Sequence, residues 1–332
     1  MDKLTGKQAE RNICLDFLRG IAILIVLFNH AIQANQINDN FLSTVFTIVL
    51  SFQMPLLFLV SGYTLGFSIN DSYSTFIKKK IKRLLLPYLC WMTIHYLLSC
   101  IMPGDYRNFA FGGIIREVFL SDFWFLRALF WYDIIFFIIK IVLQRLNTKL
   151  LIANFIGCFC GLIPATIVGR IPFFSEFTIG AWHYLWICLG FAVYLIQRGM
   201  APKQFKTVRI ILEIVSFPTI AAVLYFGSLL PKRIIGSILV ISISSISIVV
   251  CRLCSNYIRK IVVDIGKNTL PIYAIHWCLL FSPLWRIGFY HRIWGGKFYG
   301  SFITAVCWLC ICFWFIHIIK KSELFSRILL GK

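Results

Sequence analysis

Ten long apolar runs recur along this chain, and they constrain its fold more than any other feature. They cover approximately residues 13–34, 41–67, 84–101, 123–143, 150–168, 179–196, 208–230, 234–251, 269–285 and 298–319. An α-helix needs about 20 apolar residues to cross the hydrocarbon of a bilayer, so each run is read as a span. The runs are continuous and do not alternate, which excludes a transmembrane barrel. Composition agrees, with 59% hydrophobic and 14% charged residues and a mean hydropathy of +0.83. Soluble domains have about 45–50% and about 25%. The fold class is therefore an all-α polytopic membrane protein. Length alone would suggest about two domains. No block between the runs is long enough to fold alone, so residues 1–332 are read as one membrane domain with no appended soluble domain. The second run is long enough to tilt, or to break near Gln53-Met54-Pro55, where proline removes a backbone donor.

The net charge of +20 raises nucleic acid as a partner. The basic residues flank the apolar runs and form no single patch, so they orient the chain in a membrane and nucleic-acid binding is excluded. With the N-terminus inside, 23 of the 33 Lys and Arg fall in inner segments, 8 in outer ones and 2, Arg19 and Arg127, within spans. The inner clusters include Lys78, Lys79, Lys80, Lys82 and Arg83. This asymmetry predicts both termini in the cytoplasm and an even number of helices. Lys3, Lys7 and Arg11 before an apolar core, with Ile32-Gln33-Ala34 after it, outline a signal peptide. Arg19 interrupts that core, and the segment is read as a retained helix. The twelve Cys lie almost entirely in apolar runs and complete no four-ligand zinc site, so no metal is expected and the thiols are read as small buried hydrophobes.

The first run carries the chemistry. Asp16, Arg19, Asn29, His30 and Gln33 sit inside it or at its ends, and ionisable groups in hydrocarbon are costly enough to mark functional sites. Arg19 and His30 are eleven residues apart. That spacing puts them on one helix face, roughly 16 Å apart along the axis. Arg19 also has a structural reading, a snorkelling cation paired with Asp16 one turn earlier. For His30 the structural reading is a hydrogen bond between helices.

Five stretches resemble, in order, the motifs of the membrane acyltransferase 3 family. Leu15-Asp16-Phe17-Leu18-Arg19-Gly20-Ile21-Ala22 with His30 is similar to its opening helix, a basic residue, ten others and then His. Met54-Pro55-Leu56-Leu57-Phe58-Leu59-Val60-Ser61-Gly62-Tyr63 resembles its Pro-Leu-Phe-Phe-x-x-Ser-Gly-Phe segment. Lys80 to Tyr88 resembles its Arg-x-x-Arg stretch running into Leu-Pro-Pro-Tyr, with Lys80 for an Arg and Leu86 for the first proline. Trp124-Phe125-Leu126 resembles its Trp-Phe-Leu, and Gly266 to His276 its Gly-x-x-Ser-x-x-x-Tyr-x-x-His.

The resemblance implies transfer of an acyl group, usually acetyl, from cytoplasmic acyl-coenzyme A to a hydroxyl, typically on a cell-surface glycan or its lipid-linked precursor. Acetyl-coenzyme A is then a co-substrate, with no bound cofactor, and the protein sits in the bacterial inner membrane. His30 is expected to act as general base, the role that fits its pKa near neutrality, with Arg19 behind it. Lys80, Arg83, Tyr273 and His276 are expected at the donor; the basic run also suits orientation alone, an equal reading for Lys78 and Lys79. Counting rises from each membrane surface puts Arg127 and His183 near the level of His30, where they and Trp124 could serve the acceptor or an oxyanion. The same count puts His276 roughly 10 Å from the inner surface, out of reach of His30, as a lining of the donor channel. Asp133, His95 and Glu213 are intramembrane without an assigned role. The other classes are a transporter or flippase for a lipid-linked glycan and a non-catalytic receptor. No pair of broken helices in related halves supports a transporter, and retention of Arg19 and His30 argues against a receptor. Acceptor sugar, acyl length, covalent or direct transfer, and oligomeric state are not readable from the sequence.

Overall fold

The computed structural model describes residues 13–35, 40–68, 70–101, 113, 115, 118, 123–145, 181–226 and 231–331. The fifth apolar run and the basic residues Lys3, Lys7, Arg11, Arg107, Arg116, Lys149, Arg170 and Lys332 lie outside them. Every described element is helical. In chain order they are α1 (Ile13–Ala34), α2 (Asn40–Leu65), α3 (Tyr73–Lys80), α4 (Leu86–Ile101), α5 (Trp124–Arg145), α6 (Ala181–Gly199) and α7 (Pro202–Phe226). Then come α8 (Lys232–Leu253), α9 (Asn256–Lys267), α10 (Thr269–Ile275), α11 (Ser282–Arg286), α12 (Phe289–Trp294), α13 (Phe298–Lys320) and α14 (Glu323–Leu330).

Five segments are long and apolar enough to cross a membrane: Ile13–Ala34, Thr44–Ser68, Tyr73–Ile101, Lys232–Leu253 and Phe298–Lys320. Helices also coincide with the apolar runs at 123–143, 179–196, 208–230 and 269–285. The third span begins earlier than its apolar run. Ser72 caps α3 by accepting from the Thr75 amide at 3.4 Å, and a π-helical turn over Ile81–Leu85 carries the helix without interruption into α4. Lys78 to Arg83 therefore lie within a continuous helix, not in a connection.

The possible break at Pro55 does not occur; α2 runs through it. Proline leaves the carbonyl four residues earlier, that of Ser51, without its helical donor. Gly236 of α8 packs directly on that oxygen, where a Cβ would approach to 2.3 Å. The neighbouring helix thus covers the gap that proline opens.

Side-chain contacts set relative directions. Phe58 meets His183 and the Tyr63 hydroxyl donates to Gln197, so α2 and α6 run the same way. The end of α1 meets the start of α13 through Asn35 Nδ2 donating to Ser301 Oγ at 2.8 Å, so these two run oppositely. Buried residues lie on all sides of α1, which is central, packed by α2, α8, α9 and α13.

Candidate active site

The site is built on α1 and on the segment from α9 to α11. Val262, Val263, Ile265 and Gly266 of α9 are buried, while Tyr257, Lys260, Ile261 and Lys267 are exposed, so α9 lays one apolar face on α1. A Cβ on Gly266 would lie 1.7 Å from the Asp16 carbonyl oxygen and 2.9 Å from the Gly20 nitrogen. Only glycine permits this approach of two backbones. Asn268 then turns the chain, and α10 rises beside α1.

This contact corrects the separation of His30 from His276. The sequence count measured each helix from its own membrane surface. The structure sets Gly266 level with Gly20, and ten residues separate each glycine from its histidine. Equal residue counts give roughly equal rises, about 15 Å each. His30 Nδ1 accordingly lies 2.9 Å from His276 Nε2.

The protons in this pair follow from the next contact. His276 Nδ1 is 2.9 Å from the Ile272 carbonyl, which can only accept, so Nδ1 carries hydrogen. In neutral His276, Nε2 is then a bare lone pair, and His30 Nδ1–H donates to it. Neutral His30 is left with its own Nε2 lone pair uncommitted. A backbone carbonyl thus fixes, through two rings, which nitrogen of His30 can take a proton. His276 has no exposed surface and His30 is half-buried. Phe281 stacks on the His30 ring at 4.8 Å and Trp277 meets it edge-on at 5.0 Å. His276 is therefore a positioning partner of His30 in geometry, rather than a distant lining of the donor path.

Arg19 Nη1 lies 3.1 Å from Asp16 Oδ1, the pairing anticipated from their spacing, with Asp16 buried and Arg19 partly exposed. Lys80 departs from the expectation of a phosphate-facing cation. Its ammonium is 2.6 Å from Asp133 Oδ2, and Asp133 is buried on α5. The contact assigns a partner to Asp133, which had no role in sequence. Lys79 pairs with Asp71 at 2.9 Å, whereas Lys78, Lys82 and Arg83 are exposed. Gly331, after α14, sits against the Arg83 backbone, and Trp91 Nε1 donates to the Leu329 carbonyl at 3.0 Å.

The other expected residues lie on a chain of ring contacts. Tyr273 is 5.6 Å from His276, Phe125 5.2 Å from Tyr273, Phe58 5.0 Å from Phe125, and His183 5.2 Å from Phe58. Trp124 closes on His183 at 5.2 Å. Arg127 is buried and donates to the Val118 carbonyl at 3.4 Å. These rings connect His183 and Trp124 to His276 and so to His30. His95 Nε2 lies 2.9 Å from Ser282 Oγ in a buried contact, and Glu213 pairs with Arg252 and Arg209. Ser282 carries no signal in the sequence. Among the described residues no cluster of His, Cys, Asp and Glu could hold a metal ion, and none of the ten described cysteines is in a disulfide.

A helical chain with several membrane-length apolar helices and a paired, half-buried imidazole near the C-terminal end of its first helix has the layout of a multi-pass membrane protein. The chain belongs to the acyltransferase domain family, which it matches over residues 12–318. It is similar to Nodulation protein NolL of Mesorhizobium japonicum, with 28% identity over 190 residues. NolL of Sinorhizobium fredii is 27% identical over 192 residues. Each match covers 55% of this chain and 48% of the relative, so the chain spans about half the length of the curated relatives it matches. No solved structure matches it.

Proposed function

We propose that this protein is an integral-membrane O-acyltransferase of a bacterial inner membrane. It moves acetyl from cytoplasmic acetyl-coenzyme A to a hydroxyl of a cell-surface glycan or its lipid-linked precursor. In this reading the chain has ten spans with both termini inside, so that Arg19 lies on the donor side and His30 towards the acceptor side. The observation that carries the reading is the His30–His276 bond anchored on the Ile272 carbonyl, because it leaves His30 Nε2 as a directed base.

The transfer runs by direct attack. His30 Nε2 takes the proton of the acceptor hydroxyl as its oxygen bonds to the thioester carbonyl carbon. The carbon–sulfur bond breaks, and the imidazolium returns the proton to the departing sulfur, giving an ester and coenzyme A thiol. His276 holds the ring while it is charged. On the inner side Arg83, exposed on the π turn, suits the donor's phosphates. Lys80, held by Asp133, sets the position of that turn, and Arg19 with Asp16 supports the donor arm. Membrane lipids surround the exposed apolar helices, and no nucleic acid takes part.

Purified protein in lipid nanodiscs should consume acetyl-coenzyme A and esterify a glycan acceptor. His30→Ala should lower transfer by about 10²–10⁴-fold, the usual contribution of a general base, while protein still accumulates in the membrane. Near-normal transfer by that variant would refute the assignment. The transporter reading has no structural observation in its favour.

A further inference from the structure

Asn29 adjoins the base in sequence, and the reaction above leaves it unused. Its side chain has no exposed surface, and both carboxamide atoms, Nδ2 and Oδ1, lack a hydrogen-bond partner among the described residues. A buried donor and acceptor left unmade are costly, and an apolar side chain of that size would serve the packing better. The inner half of α1 is different: there Asp16 and Arg19 are paired. Unmade groups reappear at the outer end, on Asn35 Oδ1 and, on the facing α13, Thr304 Oγ1. Uncompensated polarity on this helix therefore begins at the level of His30 and extends outward, the side from which an acceptor arrives.

Successive helical side chains diverge by about 100°. One atom cannot touch both Asn29 and His30, whereas a ring bearing adjacent hydroxyls offers one to each. A carboxamide offers a donor and an acceptor side by side, the pattern that vicinal hydroxyls complement. We propose that Asn29 binds the acceptor, its carboxamide bonding a hydroxyl next to the one that His30 deprotonates. The inference rests on the acyl-transfer reading for the identity of the acceptor side.

The test uses the full chain in nanodiscs, with methyl pyranosides as saccharide probes and coenzyme A as donor probe. Asn29→Leu should unfold at the same temperature as the unmodified protein or higher, and Asn29→Ala guards against overpacking by Leu. Both variants should lose the pyranoside-induced rise in unfolding temperature and keep the rise induced by coenzyme A. Their KM for the pyranoside in acetyl transfer should increase about tenfold, the size expected for one lost hydrogen bond. Lower intrinsic stability in both variants, or an undiminished pyranoside effect, would overturn the proposal. Loss of the coenzyme A effect instead would reassign the carboxamide to the donor's amides. An unmodified protein that turns over no acetyl-coenzyme A would strike the acyl-transfer reading itself, and the unfolding comparison would still decide the saccharide contact.

Discussion

An imidazole, not a carboxylate, sits against His30 in this protein. A carboxylate beside His30 would be an isolated charge in a low-dielectric interior, expensive to bury. His276 accepts the His30 hydrogen as a neutral group, and the Ile272 carbonyl fixes its tautomer. His276→Phe keeps a ring of similar size but removes the acceptor. It should cut kcat about 100-fold, within the range for acid–base positioning, with donor KM unchanged; steady-state kinetics separates the two. The Lys80–Asp133 pair makes a second residue-scale prediction. Asp133→Ala strands a mostly buried ammonium and should cost about 3 kcal/mol, at the low end for breaking a buried pair. Thermal unfolding should show the loss, and Lys80→Met combined with Asp133→Leu should recover most of it. Equal stability of Asp133→Ala and the unmodified protein would mean the pair is not holding α3 to α5.

At the scale of elements, the contact between α1 and α9 sets the register of the site. Gly266→Ala places a methyl against the Asp16 carbonyl, where the helices must separate. Overpacking of this kind costs about 1–3 kcal/mol. The same variant should lose activity beyond its loss of stability, because a separated α9 also shifts His276 against His30. Activity retained in proportion to folded protein would show that the glycine contact does not set the register. The helix α9 itself was hidden in the sequence. Its basic residues placed it in an inner connection, and it carries too few apolar residues to stand out among spans. The π turns at Ile81–Leu85 and His276–Phe281 were equally hidden, since an extra residue in one turn leaves the apolar pattern of a membrane helix intact.

For the whole molecule, the directions of α2 with α6 and of α1 with α13 agree with alternate crossings. A fluorescent protein fused after Lys332 should fold and fluoresce inside the cell. Alkaline phosphatase fused near Gly295, between α12 and α13, should be active outside. The reverse pattern would invert donor and acceptor sides.

The sequence by itself determined a polytopic helical protein, the acyltransferase resemblance, and His30 as the residue to watch. Each of these depends on local properties: run length, charge bias and spacing along one helix. Tertiary structure decided that His276 meets His30, that Lys80 belongs to Asp133 and that Asn29 has no hydrogen-bond partner among the described residues. A sequence fixes the rise between residues on one helix, but not the height at which two helices touch. Here that height is set by two glycines, and it brings together two histidines that separate counting from the membrane surface had kept apart.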